Sequence, residues 1–389
     1  MSFMTFLTVA ILLYAAMHAY VYRRIVRAFV LRRTHRFTIL VFFACMIVTP
    51  FAGRLLDRSD GIAATHWVNL VGYVWMLWVF WFCMAGWTID ITAAIVTLAR
   101  RLRGVPPAPR QSDDPDRRRR ARRQFYALAA LIVAATLWGT IEAAHPIARY
   151  LTIRAPVLDG KGAPLRIVQV SDVHLNTVRG NRWSRAVARQ VRELKPDLLL
   201  STGDLIDAPF AHIADQADPW ADFHPPLGKY AILGNHEYYA GLRDALAFHE
   251  HAGFTLLRGQ SADVTTGLRV TGVDDATGLQ LREPCFCDES AALAGAPAGH
   301  PFVLFLKHQP RIAPSSLGCF DLQLSGHTHG GQVFPFQLFV RMLYPVRDGF
   351  TRLDSRSALY VSRGTGTWGP PLRFLARPEI TVITLMVPP

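Results

Sequence analysis

The sequence predicts two unlike halves: an α-helical membrane region of four transmembrane helices, then an α/β domain of short buried strands. Three observations carry that expectation. Hydrophobic residues make up 51% of the 389-residue chain, and they crowd into the first 150 positions. That stretch holds 19 of the 42 Lys and Arg but only 7 of the 29 Asp and Glu, a balance of +12 against +1 for the remainder. From about Pro164 the pattern changes to short aliphatic and β-branched runs separated by helical or irregular stretches, as in an α/β sandwich. The expected organisation is a membrane domain over 1–150 and a soluble domain over 151–389.

A spanning helix needs about 20 mostly apolar residues to cross roughly 30 Å of hydrocarbon. Four stretches qualify: Phe3–Tyr22, Phe37–Leu56, Trp67–Trp87 and Phe125–Ala144. The first is too long and too aromatic for a cleaved signal peptide, and no small-x-small cleavage site follows it. Apolar character runs past Trp87 to about Leu98, interrupted by Asp90, which predicts a helical extension leaving the bilayer.

Arginines set the orientation. Arg23, Arg24, Arg27, Arg32, Arg33 and Arg36 follow the first span. Arg100, Arg101, Arg103, Arg110, Arg117 to Arg120, Arg122 and Arg123 follow the third, whereas the Asp57–His66 loop has only Arg58. Arginine-rich loops stay in the cytoplasm. Four spans then put both termini and the soluble domain on the extracytoplasmic face of an integral plasma (inner) membrane protein. Basic charge packed beside apolar segments marks membrane flanks rather than a nucleic-acid surface. The run Pro115–Arg123 reads as a solvated linker that fixes topology, with an anionic-lipid contact as the alternative. Asp90 and Glu142 fall near helix ends, where interfacial water solvates them, and His18 is a further polar group of the spans. So few ionisable groups within the spans weigh against a transporter.

Cys45 and Cys83 lie in apolar segments and behave as small hydrophobes. Cys285, Cys287 and Cys319 are compatible with a disulfide or a metal but have no further ligand pattern around them, and they read as ordinary thiols.

In the soluble half, the informative residues are those that end each apolar run. Leu165–Val170 leads into Ser171-Asp172-Val173-His174, and Asp197–Leu200 into Gly203-Asp204 with Asp207 close behind. Tyr230–Leu233 leads into Gly234-Asn235-His236-Glu237, and Phe302–Leu306 into Lys307-His308-Gln309-Pro310. Asp321–Leu324 leads into Ser325-Gly326-His327-Thr328-His329-Gly330-Gly331-Gln332. Five strands thus deliver Asp, Asn and His side chains to loops at one end of a sheet, where rigid strands fix functional loops. Imidazole and carboxylate suit zinc, iron or manganese, and an amide oxygen completes a hard coordination sphere. Any one of these histidines is more often an ordinary polar-core residue; the ordered set is not. His212, His224, His249, His251 and His300 match no motif and read as ordinary.

Asp-x-His, Gly-Asp, Gly-Asn-His-Glu, a lone His and Gly-His-x-His, in that order over residues 164–388, resemble the calcineurin-like metallophosphoesterases. The Gly326–Gln332 wording, Val273-Asp274-Asp275 and Ser362-Arg363-Gly364-Thr365-Gly366 are similar to the membrane-associated bacterial branch. That branch includes lipid-directed phosphodiesterases and UDP-diacylglucosamine pyrophosphohydrolases. The resemblance implies an αββα sandwich and two divalent metal ions (Mn, Zn or Fe). It implies that Asp172, His174, Asp204 and His329 bind one metal, and that Asp204 bridges to a second completed by Asn235, His308 and His327. It makes His236 the histidine that binds no metal and steadies the transition state or protonates the leaving oxygen. Two cations about 3.5–4 Å apart activate a water and clamp the oxygens of an in-line displacement.

Asp207 and Glu237 are expected to orient ligand imidazoles. Arg363 is either a substrate-phosphate contact or the partner of a nearby carboxylate. Trp368 with Pro370-Pro371 is either an apolar wall for an acyl chain or a stiff turn. The expected function is hydrolysis of a phosphodiester, phosphomonoester or pyrophosphate bond, on a lipid or lipid-linked substrate, because four spans exceed what an anchor needs. One alternative is a UDP-diacylglucosamine-type pyrophosphohydrolase on the cytoplasmic face. Another is a non-catalytic receptor or scaffold on the same fold, which would show eroded ligands or a missing His236; neither is seen.

Overall fold

A computed structural model of the chain describes residues 3–56, 65–105, 115–155, 164–294 and 301–386. Arg58, most of the loop around it, Arg110 and His300 lie outside the described residues. Two units divide the chain, Met1–Trp138 and Gly139–Pro389.

Four long helices come first: α1 (Phe3–Ala28), α2 (Arg33–Leu56), α3 (Thr65–Leu102) and α4 (Pro115–Ala144). Each carries a segment long and apolar enough to cross a membrane, in the four places the sequence marks. At 1.5 Å per residue the 38-residue α3 is about 57 Å long, well beyond the roughly 30 Å of a hydrocarbon core. The expected extension past Trp87 is therefore helical throughout. The arginines of Pro115–Arg123 are not a linker: they form the opening turns of α4. Pro115 starts the helix where its missing N–H is harmless, and Asp116 in the first turn complements the helix dipole.

Asp90 corrects a second expectation. It lies well inside α3, away from either end. The Arg24 guanidinium donates to Asp90 Oδ1 at 2.8 Å and the Tyr20 hydroxyl to Oδ2 at 2.7 Å. His18 is buried, with Nδ1 2.9 Å from Tyr14 O and Nε2 accepting from Trp75 Nε1 at 2.9 Å. All five cysteines are free.

Among its described residues the second unit has twelve strands. β1 (Ile147–Arg154), β2 (Leu165–Val170), β3 (Leu198–Ser201), β4 (Lys229–Ala231) and β5 (Thr255–Leu256) come first. β6 (Gln260–Thr265), β7 (Leu268–Gly272), β8 (Phe302–Leu306), β9 (Leu322–Ser325), β10 (Gly349–Arg352), β11 (Ala358–Val361) and β12 (Glu379–Met386) follow. Between them lie α5 (Gly180–Glu193), α6 (Phe210–Ile213), α7 (Asp218–Ala221), α8 (Asn235–Ala240) and α9 (Leu242–His251). α10 (Thr277–Leu281), α11 (Glu289–Leu293) and α12 (Phe336–Leu343) complete the set.

The strands form two six-stranded mixed sheets, ordered β1-β12-β2-β3-β4-β5 and β10-β11-β9-β8-β7-β6. The alternation of strand side chains makes the layers. Ile167, Leu198 and Leu200 point between the sheets, where they meet Val270, Leu304, Leu306, Leu322 and Leu324. Val168, Val170 and Leu199 face the other way, onto Val187 and Val191 of α5 and Phe248 of α9. Beyond the second sheet, Val303 and Phe305 pack with Phe320 and with Ala292 of α11. This is the αββα sandwich. The five motif-bearing strands do not share one sheet, however: β2, β3 and β4 run parallel in the first, β8 and β9 in the second. Each sheet therefore presents its motif loops at the C-terminal ends of neighbouring parallel strands.

Candidate metal centre

Seven side chains converge where those loops meet. Asp172 and His174 follow β2, Asp204 follows β3, and Asn235 opens α8 after β4. His308 follows β8, while His327 and His329 follow β9. Asp172, His174, Asp204, His327 and His329 all have φ between 49° and 70°. A left-handed non-glycine residue costs on the order of 1–3 kcal/mol and persists where surrounding structure enforces it, most often at functional sites. Five such residues in one cluster mean that the backbone is bent to aim these side chains.

The glycines leave no room for substitutes. A Cβ on Gly326 would lie 1.9 Å from Ser171 Oγ and 2.2 Å from Asp172 Oδ2; one on Gly234 would lie 2.2 Å from Asp204 Oδ1.

The side chains sort into two groups. His174 Nε2 lies 3.0 Å from His329 Nε2, which is 3.4 Å from Asp172 Oδ1. In the other, His308 Nε2 lies 3.1 Å from Asn235 Oδ1 and 3.2 Å from His327 Nδ1, and Asn235 Oδ1 is 2.9 Å from that Nδ1. Asp204 Oδ2 stands between them, 3.9 Å from His174 Nε2 and 3.1 Å from His308 Nε2.

The donor chemistry of this cluster fits cations. His308 Nδ1 lies 2.8 Å from the Thr202 carbonyl, which only accepts, so Nδ1 carries the proton. In the neutral ring the opposite Nε2 then offers a lone pair to two oxygens that are themselves acceptors, an arrangement repulsive without positive charge between them. Burial, reinforced by neighbouring cationic groups, pushes His174 down to about 3 and His327 to about 4, and takes His329 well below its ordinary value. These imidazoles are neutral, as metal ligands must be. Burial lifts Asp172 to about 6. Burial also works against ionisation of Asp204, yet His308 and His236 outweigh it and hold that carboxyl well below the usual range. Burial likewise opposes charge on His308, but Asp204 raises it well above its ordinary value. A proton drawn this strongly to the centre of the cluster marks a place that a divalent cation satisfies better.

Around the cluster, supporting groups fix its geometry. The Ser171 hydroxyl donates to Asp172 Oδ2 at 2.5 Å, and His327 N to both Asp172 oxygens at 3.0 and 3.1 Å. Glu237 does not orient an imidazole, contrary to expectation. Its carboxylate accepts from the backbone N–H of Gly234, Asp204, Leu205 and Ile206, locking the β3 and β4 loops together. Burial, with Asp204 nearby, lifts it to about 7. Asp207 orients His236 rather than one of the expected ligand imidazoles: its Oδ1 lies 2.7 Å from His236 Nδ1, while its Oδ2 stays 3.9 Å from His174 Nδ1. His174, Asp207 and His236 form a third cluster close enough to share a metal, although His236 also sits edge-on to the Tyr239 and Trp368 rings. Arg363 packs over Gly330 and has Nη2 3.3 Å from Asp348 Oδ1, so the carboxylate partner is present.

Two further residues contribute, and one of them lies outside every motif. Arg373 is fully buried, and burial pushes its guanidinium down to about 10. It donates to the carbonyls of His329 at 2.6 Å, Arg363 at 2.8 Å and Gly366 at 2.8 Å, with Nη2 3.1 Å from His329 Nδ1. Gln332 donates through Nε2 to Trp368 O at 2.7 Å and accepts from Trp368 N through Oε1 at 2.9 Å, which fixes the backbone that carries that indole. Gln332 was within the Gly326–Gln332 motif; nothing local in Leu372-Arg373-Phe374 distinguishes Arg373 from a surface arginine.

The calcineurin-like phosphoesterase family model matches residues 165–331. A metallophosphoesterase of Aquifex aeolicus is 38% identical over 226 residues, 58% of this chain and 86% of its own length. A transmembrane protein with a metallophosphoesterase domain from Danio rerio is 34% identical over 66% of this chain and 62% of its own. A Campylobacter jejuni metallophosphoesterase is 27% identical over 99% of both chains, so that likeness includes the helical N-terminal unit. The chain belongs to the calcineurin-like phosphoesterases. It is a membrane-associated metallophosphoesterase, a hydrolase of phosphate esters.

Proposed function

We propose that the enzyme hydrolyses a phosphodiester, phosphomonoester or pyrophosphate bond of a lipid or lipid-linked substrate on the extracytoplasmic face of the plasma membrane. The observation that carries this reading is α12. It follows the His329–Gly331 turn closely: a Cβ on Gly331 would lie 2.5 Å from Gln337 N, so the helix is seated on that turn. Its buried side is anchored by Gln337, whose Nε2 donates to Phe374 O at 3.1 Å. Its other side exposes Phe336, Leu338, Phe339, Met342 and Leu343, with Met342 82% exposed, and Arg341 in the last turn adds positive charge. Apolar side chains beside a basic residue suit a phospholipid surface, and contiguous exposed patches mark interaction sites. A water-soluble substrate gives no reason for them.

Asp172, His174, Asp204 and His329 would hold one divalent cation, with Asp204, Asn235, His308 and His327 holding the other. Such a pair supplies Lewis-acid activation of water and charge stabilisation at phosphorus. The rest falls to the protein. Asp207 takes the Nδ1 side of His236, which leaves Nε2 to pass a proton to the departing oxygen. The same carboxylate steadies the ring once it is cationic. Trp368 and Tyr239 flank His236 and limit the water that competes for that proton.

Turnover of a diacylglycerol p-nitrophenyl phosphate in phosphatidylcholine vesicles, against bis-p-nitrophenyl phosphate in solution, tests the reading. Leu338→Ser with Phe339→Ser and Met342→Ser should cut vesicle turnover at least roughly tenfold and leave the soluble rate unchanged. Vesicle turnover equal to that of the parent enzyme would remove the lipid substrate.

A further inference from the structure

Away from the metal centre, a cavity of about 720 Å³ opens among α1, α3 and α4 in the N-terminal unit. Its polar lining is unusual for a helical bundle. Among the described lining residues Arg24, Arg27, Arg117, Arg118 and Arg120 stand with one carboxylate, Asp90. That carboxylate is already engaged, by Arg24 at 2.8 Å and by the Tyr20 hydroxyl at 2.7 Å. Arg24 also donates to Gly86 O at 2.7 Å, so this corner is a fixed part of the wall. Apart from Gln124 the remaining lining is apolar, with Phe82, Phe125 and Leu128 among it. The arginines come from the C-terminal end of α1 and the N-terminal end of α4, which places the cavity toward one end of those spans. In a spanning helix that end meets the lipid headgroups.

We infer that this cavity binds a phosphate-bearing anion of the size of a phospholipid headgroup, with its apolar wall against the glycerol and upper acyl chain. Several guanidinium groups around a space walled partly by aromatic side chains repel one another, and an anion between them relieves that repulsion. Arginine is the residue suited to the task, because its planar fork grips phosphate oxygens in pairs. Basic pockets between spanning helices take lipid headgroups on the same physical grounds. Volume separates the two sources of such an anion. A free phosphate fills little of the cavity and makes no use of Phe82, Phe125 or Leu128, whereas a headgroup with the start of its chains occupies both walls. The opening turns of α4, rich in arginine, thus have a ligand as well as a topological role. The site stands whether or not the catalytic substrate is a lipid.

Native mass spectrometry of the full-length protein in detergent, titrated with phosphatidylglycerol, phosphatidylcholine or inorganic phosphate, tests the assignment. Phosphatidylglycerol should be retained over phosphatidylcholine. The combined Arg27→Gln, Arg117→Gln and Arg120→Gln variant should bind it at least roughly tenfold more weakly. Arg100→Gln with Arg101→Gln and Arg103→Gln removes equal charge outside the lining and should keep it. Ala93→Phe intrudes on the cavity without touching any charge and should also weaken lipid binding. Soluble bis-p-nitrophenyl phosphate turnover, unchanged in all three, reports an intact catalytic unit, and an unchanged helical melting curve by circular dichroism reports that the mutated helices are folded. Displacement of phosphatidylglycerol by inorganic phosphate, lost with the cavity arginines, would keep the anion site and assign its ligand to the free ion. Equal weakening in the control variant, or full binding in Ala93→Phe, would overturn the proposal, because attraction would then be diffuse.

Discussion

His236 stands apart from the other motif histidines because its Nδ1 is committed to Asp207 at 2.7 Å, while the other six imidazole, amide and carboxylate groups turn toward one another or toward Asp204. His236→Ala should therefore keep the full metal content of the enzyme, read by mass spectrometry of the purified protein, and lose about 10²–10⁴-fold in turnover. Loss of metal with that substitution would make His236 a ligand and sink the acid assignment. Arg373 makes the opposite case. It touches His329 through both the carbonyl and the ring, so Arg373→Lys should weaken metal binding about 10–100-fold while excess metal restores much of the rate. An unchanged metal titration curve would limit Arg373 to a packing role. These two residues also show where the sequence is legible. Ligand-bearing loops announce themselves because each is a short stretch of Gly, Asp, Asn and His ending an apolar run. Arg373 is selected by what surrounds it in space, and its neighbours at 329, 363 and 366 are set only once β9, β11 and β12 have come together.

At the scale of elements, strands were legible by composition but their partners were not. Leu165–Val170 and Phe302–Leu306 are strands over the bounds the sequence suggests, yet nothing in either run says that one belongs to the first sheet and the other to the second. The pairing of β1 with β12, residue by residue from Ile147 with Glu379 to Arg154 with Met386, joins segments from opposite ends of the domain. Such non-local pairs leave no periodic signal in either segment. Within α9, His249 matches no ligand motif and is fully buried, as an ordinary core histidine would be. Its Nδ1 lies 2.8 Å from Ala245 O, and burial pushes it down to about 4. Because the unfolded chain takes up the proton at about 6.5 and the folded one only near 4, falling pH favours unfolding across that window. At pH 5 the penalty is about 2 kcal/mol, worth roughly 4–8 °C in melting temperature for a domain of this size. His249→Leu removes the titration, so the variant's melting temperature relative to the parent should rise by about that amount between pH 7 and pH 5. A difference that stays flat with pH would show that the ring accepts its proton without unfolding.

For the whole molecule, the open question is which side of the membrane the metal centre faces, and the chain itself supplies the argument. Among the described residues four helices are long and apolar enough to span, and four crossings return the chain to the side on which the first one starts. The two arginine-rich connections join α1 to α2 and α3 to α4, so with four crossings both fall on the same side, and the orientation we propose follows the positive-inside bias in making that side the cytoplasm. On the proposed topology the soluble unit, which follows α4, is external. Substrate and sidedness are linked by chemistry. An external site meets phospholipids and their phosphorylated derivatives but no cytoplasmic nucleotide, whereas an internal one has access to UDP-linked lipid precursors. A C-terminal fusion to alkaline phosphatase, active only outside, should therefore be active, and a fusion to green fluorescent protein exported by the same route should be dark. The reverse pair would put the metal centre in the cytoplasm, where hydrolysis of a UDP-linked lipid pyrophosphate would become the reading to test. Glutamate substitution of Arg32, Arg33 and Arg36, which cancels the net charge of the first connection without touching the soluble unit, should reduce the alkaline phosphatase signal. If that signal does not change, charge on this connection does not set the orientation, and the external placement of the metal centre loses its physical basis.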